Sequence, residues 1–166
     1  MSFVSPTKRR VPPQPYTPRH RLPSQPPRQP IWFDYAGSRP GQGIPMRELR
    51  LKGSALPMCG ALDPVLGGSG LQRIVFRINW PGYGHVEWCR SVAVVAPNGA
   101  PISRMALAMQ IATNYANWYE KTQFEQPSSN EWLLSPKCVE FKHLHLVSLI
   151  NTFEDCWQAD VALDIC

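Results

Sequence analysis

The stretch L-Q-R-I-V-F-R-I-N-W-P-G-Y-G-H-V-E-W-C-R-S-V-A-V-V, residues 71–95, decides the fold. In its first part Ile74, Phe76, Ile78 and Trp80 fall on one face of an extended chain, with Arg73, Arg77 and Asn79 on the other. That two-residue period is the signature of a half-buried strand. Farther along, Val86, Trp88, Val92 and Val94 share a face in the same way, so a second strand follows. P-G-Y-G-H sits where a hairpin connection belongs, with Pro81 ending the ladder and Gly82 and Gly84 free to adopt positive φ. This places Tyr83 and His85 at the loop tip and makes Tyr83 a candidate partner contact.

Downstream, the Asn98-Gly99 turn closes the second strand and a helix is expected over about 102–121. Ser103 is positioned to cap it, and Met105, Ala108, Ile111, Tyr115 and Trp118 recur at helical steps, the pattern of a core-facing stripe. After the polar break Q-P-S-S-N, the end of the chain reads as a closing hairpin over about 138–165, turning at N-T-F-E-D. Upstream, E-L-R-L-K (48–52) alternates like a short edge strand. The Gly- and Pro-rich stretch after it reads as a loop, from which Leu56, Met58, Leu62, Val65 and Leu66 tuck inward. The order predicts an α+β domain over 48–166: an antiparallel sheet of about four to five strands with one main helix on one face.

The remaining part of the chain has a different composition. Residues 1–52 carry ten Lys/Arg against two acids, a charge of +8, whereas residues 53–166 carry seven against ten, a charge of −3. Proline also gathers in residues 1–30, which are expected to form an extended, polyproline-II-like arm. Such an arm suits a proline-reading groove or a partner subunit, or it binds phosphate through Lys8, Arg9, Arg10, Arg19, Arg21 and Arg28. I-W-F-D-Y (31–35) is too aromatic for a linker and is expected to dock on the domain or on a partner, which makes Trp32, Phe33 and Tyr35 candidate partner contacts. Residues 31–47 are therefore read as anchor and linker.

Motifs that carry chemistry are sparse. His143 and His145 form H-x-H, which in a strand points both imidazoles to one face; they are the only weak metal candidates, and no third ligand falls in place. Cys89 near His85 lacks the surroundings of a nucleophile pair, and adjacent Glu154 and Asp155 diverge in a turn rather than form a carboxylate dyad. The five cysteines never approach C-x-x-C and read as reduced thiols, no G-K-[ST] completes a phosphate loop, and no apolar run is long enough to span a bilayer. The start of the chain lacks a signal-peptide pattern, so an intracellular protein, cytoplasmic or nuclear, is expected.

The order of features resembles a family of small uncharacterised proteins of mushroom-forming fungi that share a domain of unknown function. The likeness runs through Trp80-Pro81 and Trp88, the short valine-rich strand, Asn98-Gly99, Ile102-Ser103 opening the helix, and the closing F-x-x-L-x-L and C-W-x-x-D-V-A-L segments, over about 48–165. Arg104, Met105 and Ala106 stand where that family often has an acid after the cap. The resemblance implies a fold and a fungal source, with no activity attached.

Together these readings predict a protein that is not an enzyme and needs no cofactor. It is expected to be an interaction or assembly subunit engaging a protein partner, or a second copy of itself, through arm and anchor. An RNA- or DNA-associated accessory role through the basic arm is the alternative, and a small enzyme with an unrecognised site the third.

Overall fold

The computed structural model describes residues 8–16 and 26–164; Arg19, Arg21 and Cys166 lie outside them. Two hairpins organise the sheet. β4 (Arg73–Ile78) and β5 (Trp88–Ala93) are the alternating segments around W-P-G-Y-G-H, paired from Arg73 opposite Ala93 to Ile78 opposite Trp88. β6 (Leu144–Phe153) and β7 (Cys156–Asp164) form the second hairpin, closed at Glu154, which takes φ +49°, and Asp155. The buried amide of Asn151 steadies that turn by donating to the carbonyl oxygens of Glu154 (2.7 Å) and Cys156 (3.0 Å).

Between the hairpins runs the long helix, Arg104–Thr122, which begins where Ser103 Oγ accepts from the Ala106 amide at 3.1 Å. The chain therefore returns to the sheet by a crossover, and β7 comes to lie parallel beside β4, with Val75 opposite Cys156 and Phe76 opposite Trp157. The sheet is consequently mixed, not purely antiparallel as expected. Among the described residues it also has seven strands rather than four or five, because the segment upstream of residue 48 supplies three short ones. β1 (Lys8–Arg10) pairs with the end of β7, while β2 (Ile31–Trp32) and β3 (Ile44–Pro45) pair in turn with the far edge of β6.

A second correction concerns E-L-R-L-K. It belongs to a helix, α1 (Met46–Lys52), so Arg104–Thr122 is α2. Pro45, extended at φ −57° and ψ 128°, ends β3 immediately before the helix; Glu48 then sits in the first turn and Arg50 and Lys52 in the last, each suited to the helix dipole. Met46 and Leu49 are buried three residues apart, while Leu51, which the alternating pattern would have placed beside Leu49, is 71% exposed. Two buried positions at helical spacing outweighed a five-residue alternation.

The core lies between the sheet and α2. Ile74, Phe76, Ile78 and Trp80 face Met105, Ala108, Ile111, Tyr115 and Trp118, all buried. The ring of Phe76 meets Tyr115 edge-on at 6.0 Å, and Trp80 lies 5.3 Å from Trp118. Leu56, Met58 and Leu66 tuck inward as expected from the loop, but Leu62 is exposed.

Candidate functional site

On the face of the sheet opposite α2 the strands place Ser148 opposite Asp160 and Gln158 opposite Ile150, with Arg77 opposite Cys89 on the neighbouring hairpin. Ser148, Gln158 and Asp160 are nonetheless buried. Buried polar side chains usually find partners, and the chain's own N-terminal segment provides them for Gln158 and Asp160, while the Ser148 hydroxyl has none among the described residues.

The edge of β7 explains how. β4 pairs with it only at Cys156 and Trp157, and β1 only from Ala162 onward, extended by one bond from the Val11 amide to the Val161 carbonyl. Gln158, Ala159 and Asp160 thus face a gap between two strands that part. Residues 11–16, V-P-P-Q-P-Y, leave the sheet at Val11 and cross this gap as a strap. Its prolines have no amide hydrogen to donate, so few ladder bonds are lost by leaving the sheet. The strap's backbone is instead gripped by side-chain amides. Asn79 Nδ2 (2.9 Å) and Gln158 Nε2 (3.0 Å) both donate to the Gln14 carbonyl, and the Tyr16 amide donates to Gln158 Oε1 at 2.6 Å.

Charge fixes the register of the strap. The guanidinium of Arg10 makes a two-pronged bond to the Asp160 carboxylate, through Nε to Oδ1 at 2.8 Å and through Nη2 to Oδ2. Only 3% of the Asp160 side chain is exposed, against 37% for Arg10, so the acid is the buried partner and the arginine its lid. Next to it, Arg9 bonds Glu131 at 2.9 Å and lies 4.3 Å from the centre of the Trp132 ring. At the other end, Arg77 stacks over the Tyr16 ring at 3.8 Å. Past the undescribed residues the chain is caught again, where the Arg28 amide donates to Asn151 Oδ1 at 3.1 Å.

Beneath the strap is a cavity of about 90 Å³, reached by Trp80 and Tyr115 from the core side and by Arg77, Asn79 and Asp160 from the polar side. Burial, and secondarily the Asp160 carboxylate, holds the Tyr115 phenol well above its ordinary pKa. Outside the strap a wider depression of about 520 Å³ separates it from the loop Gly84–Glu87, where His85 is exposed.

The residues named from sequence are distributed very differently. Tyr83, expected at an exposed loop tip, is 1% exposed; its hydroxyl accepts from the Leu134 amide at 3.1 Å, because the W-P-G-Y-G-H turn folds inward onto residues 128–134. Gly82, at φ +87°, is needed there, since a Cβ would lie 2.8 Å from the Ser129 carbonyl oxygen. Phe33 is wholly buried and Trp32 and Tyr35 are half-buried, so I-W-F-D-Y docks on this chain itself. Asp34 completes the dock by accepting from the Gly41 (3.2 Å) and Gly43 (3.0 Å) amides.

Of the arginines proposed for phosphate, Arg9 and Arg10 are paired with acids, and Arg28 is exposed. The paired acids were missed from sequence, since nothing in W-Q-A-D-V or S-N-E-W marks Asp160 or Glu131 as the partner of an arginine more than a hundred residues away.

His143 and His145 line one open depression with Glu48 and Asp164. They differ in setting. His143 Nδ1 accepts from the Glu140 amide at 3.0 Å within a short 3-10 turn, whereas His145 is buried in β6 with Nε2 4.0 Å from Asp164. Among the described residues no three His, Cys, Asp or Glu side chains converge as a metal site would require. Cys59, Cys89, Cys138 and Cys156 are free thiols, and burial pushes the Cys156 thiol up despite hydrogen bonds from Thr152 and Arg77. No helix among the described residues is long and apolar enough to cross a membrane.

Compared with protein-family models, curated proteins and solved structures, the chain matches none.

Proposed function

We propose that this chain is a non-enzymatic interaction protein whose N-terminal proline-rich segment acts as a ligand and whose polar sheet face, around Asp160, Gln158 and Asn79, acts as its receptor. One observation carries the reading: an extended, arginine-headed segment, R-V-P-P-Q-P-Y (10–16), is held by its backbone and its leading cation rather than by a buried apolar side chain at every step. Two side-chain amides on one carbonyl, a carboxylate for the arginine and a cation over the terminal aromatic ring are the means by which a groove reads an extended peptide. Contacts of that kind exchange readily, since each neutral hydrogen bond contributes about 1 kcal/mol net. Exposed Pro12, Pro13 and Pro15 keep the segment stiff and lower the entropy lost on docking. The partner-facing role thereby moves from the buried aromatic anchor to the strap.

A labelled peptide of residues 8–16 tests this reading, titrated onto the full chain carrying Arg10→Asp, which loosens its own strap by setting an acid against Asp160. Saturable binding that weakens as salt rises is expected. Absence of binding at every salt concentration would refute the groove as a receptor.

A further inference from the structure

We infer that the segment filling this groove in an assembly is residues 8–16 of a second copy of the chain, each copy lending its strap to the other. The inference rests on the reading above and names the partner. The groove is already shaped for this segment, so a second copy presents the same arginine to Asp160, the same carbonyl to Asn79 and Gln158, and the same tyrosine ring to Arg77. Closed and exchanged forms therefore share every strap contact and differ only in the link and in concentration.

The link is long enough for either form. Residues 17–25, T-P-R-H-R-L-P-S-Q, join the strap, which ends over β4 and β7, to the segment that enters the sheet at the far edge of β6. Nine residues reach up to roughly 30 Å when extended, against about 5 Å between neighbouring strands, so the strap can span to a neighbour as readily as fold back.

Charge adds direction. The exchanged segment carries Lys8, Arg9 and Arg10 and no acid, and Glu131 and Asp160 are its acidic partners, so two copies present these opposite signs to each other reciprocally. A two-fold pair formed this way fills both grooves and leaves no strap over, so the assembly closes at two.

Two full-length variants with reversed charge decide the matter. Arg10→Asp and Asp160→Arg each place like charges together, both within one chain and between identical chains. Mixed in equal amounts, they present complementary pairs only between unlike chains. Each variant alone should scatter light as an 18.7 kDa monomer, and the mixture should double that mass. The chain carrying both substitutions should return to the behaviour of the unsubstituted protein.

If the mixture stays monomeric while the labelled peptide still binds, the receptor reading stands and the second-copy inference falls, leaving a foreign proline-rich segment as occupant. If the peptide fails as well, both fall. Should either variant not fold, judged by near-ultraviolet circular dichroism, native mass spectrometry of mixed light and heavy isotope-labelled protein decides. Mixed-mass dimers support the inference; monomers alone up to about 1 mM, the effective concentration that a short link gives a strap in its own groove, overturn it.

Discussion

On the α2 face of the sheet Ile74, Phe76, Ile78 and Trp80 pack against aliphatic and aromatic side chains, whereas on the strap face Gln158 and Asp160 lie under a segment that touches them through hydrogen bonds and one two-pronged ion pair. Gln158 and Asp160 are buried like the α2 face, but the covers differ in kind. Burial of apolar area is non-directional and large, so the α2 face holds the domain together. Paired polar contacts exchange with water at small net cost, so the strap face is suited to being covered, uncovered and covered again by something similar. The same sheet thus separates what keeps the fold from what is available for exchange, and the gap in the β7 edge is where the two meet, with Tyr115 on one side and Asp160 on the other.

The sharpest way to break this comparison is at Phe33. It is wholly buried within the apolar core although it belongs to the basic N-terminal third of the chain. If it is part of the fold-holding core, Phe33→Ala costs about 3–5 kcal/mol of stability in a denaturant titration, on the scale of other buried aromatic truncations. Unfolding at an unchanged midpoint would mean that I-W-F-D-Y lies outside the core and would return it to the role of a partner handle.

Alkaline pH probes the rim of the core. Burial, and then Glu140, pushes the Tyr119 phenol up to about 12 from an ordinary 10.0; its hydroxyl donates to the Val139 carbonyl at 2.7 Å. Tyr115 shifts in the same direction, by burial and then by Asp160. A folded pKa above the unfolded one means that the unfolded chain loses its proton first. Stability should therefore be intact below pH 10 and fall as pH rises from 10 toward about 12. The denaturation midpoint measured on either side of pH 10 checks this. A native protein in which all the tyrosinate absorbance develops near pH 10 would contradict it.

How far the sequence could be read follows the same division. The period-2 run of β4, the Ser103 cap and the three- and four-residue steps of α2 were legible because apolar burial writes a period into the chain. The closing hairpin is legible for the same reason. Helix α1 was misread because seven residues are too few for a helical period to outvote a chance alternation, and the parallel contact of β7 with β4 depends on how a crossover packs, which no local pattern encodes. Tyr83 was placed outside because a Pro-Gly turn reads as surface; what draws it in is Leu134, fifty-one residues away. The strap's tyrosine, its arginine and the amides that hold it were least visible, since polar pairs carry no periodicity and the groups meet across 65 to 150 residues of chain.

The smallest expected effect is also the one that isolates the strap. Gln158 holds it at two points, donating to the Gln14 carbonyl and accepting from the Tyr16 amide, and it lies opposite Ile150 on the polar face. Gln158→Leu keeps nearly the same side-chain volume and removes both bonds at once. Because the strap's backbone groups can turn to water when it lifts, the global cost should stay near 1 kcal/mol. The local effect should be much clearer: hydrogen exchange at the Tyr16 amide speeds up by about tenfold or more, while amides in the middle of α2 exchange at unchanged rates, as expected when one unit opens without the rest. Faster exchange throughout α2 would mean that the two faces open together and that the strap is part of the fold-holding core. No acceleration at Tyr16 would mean that Arg10 and Asp160 hold the strap without help from the amides.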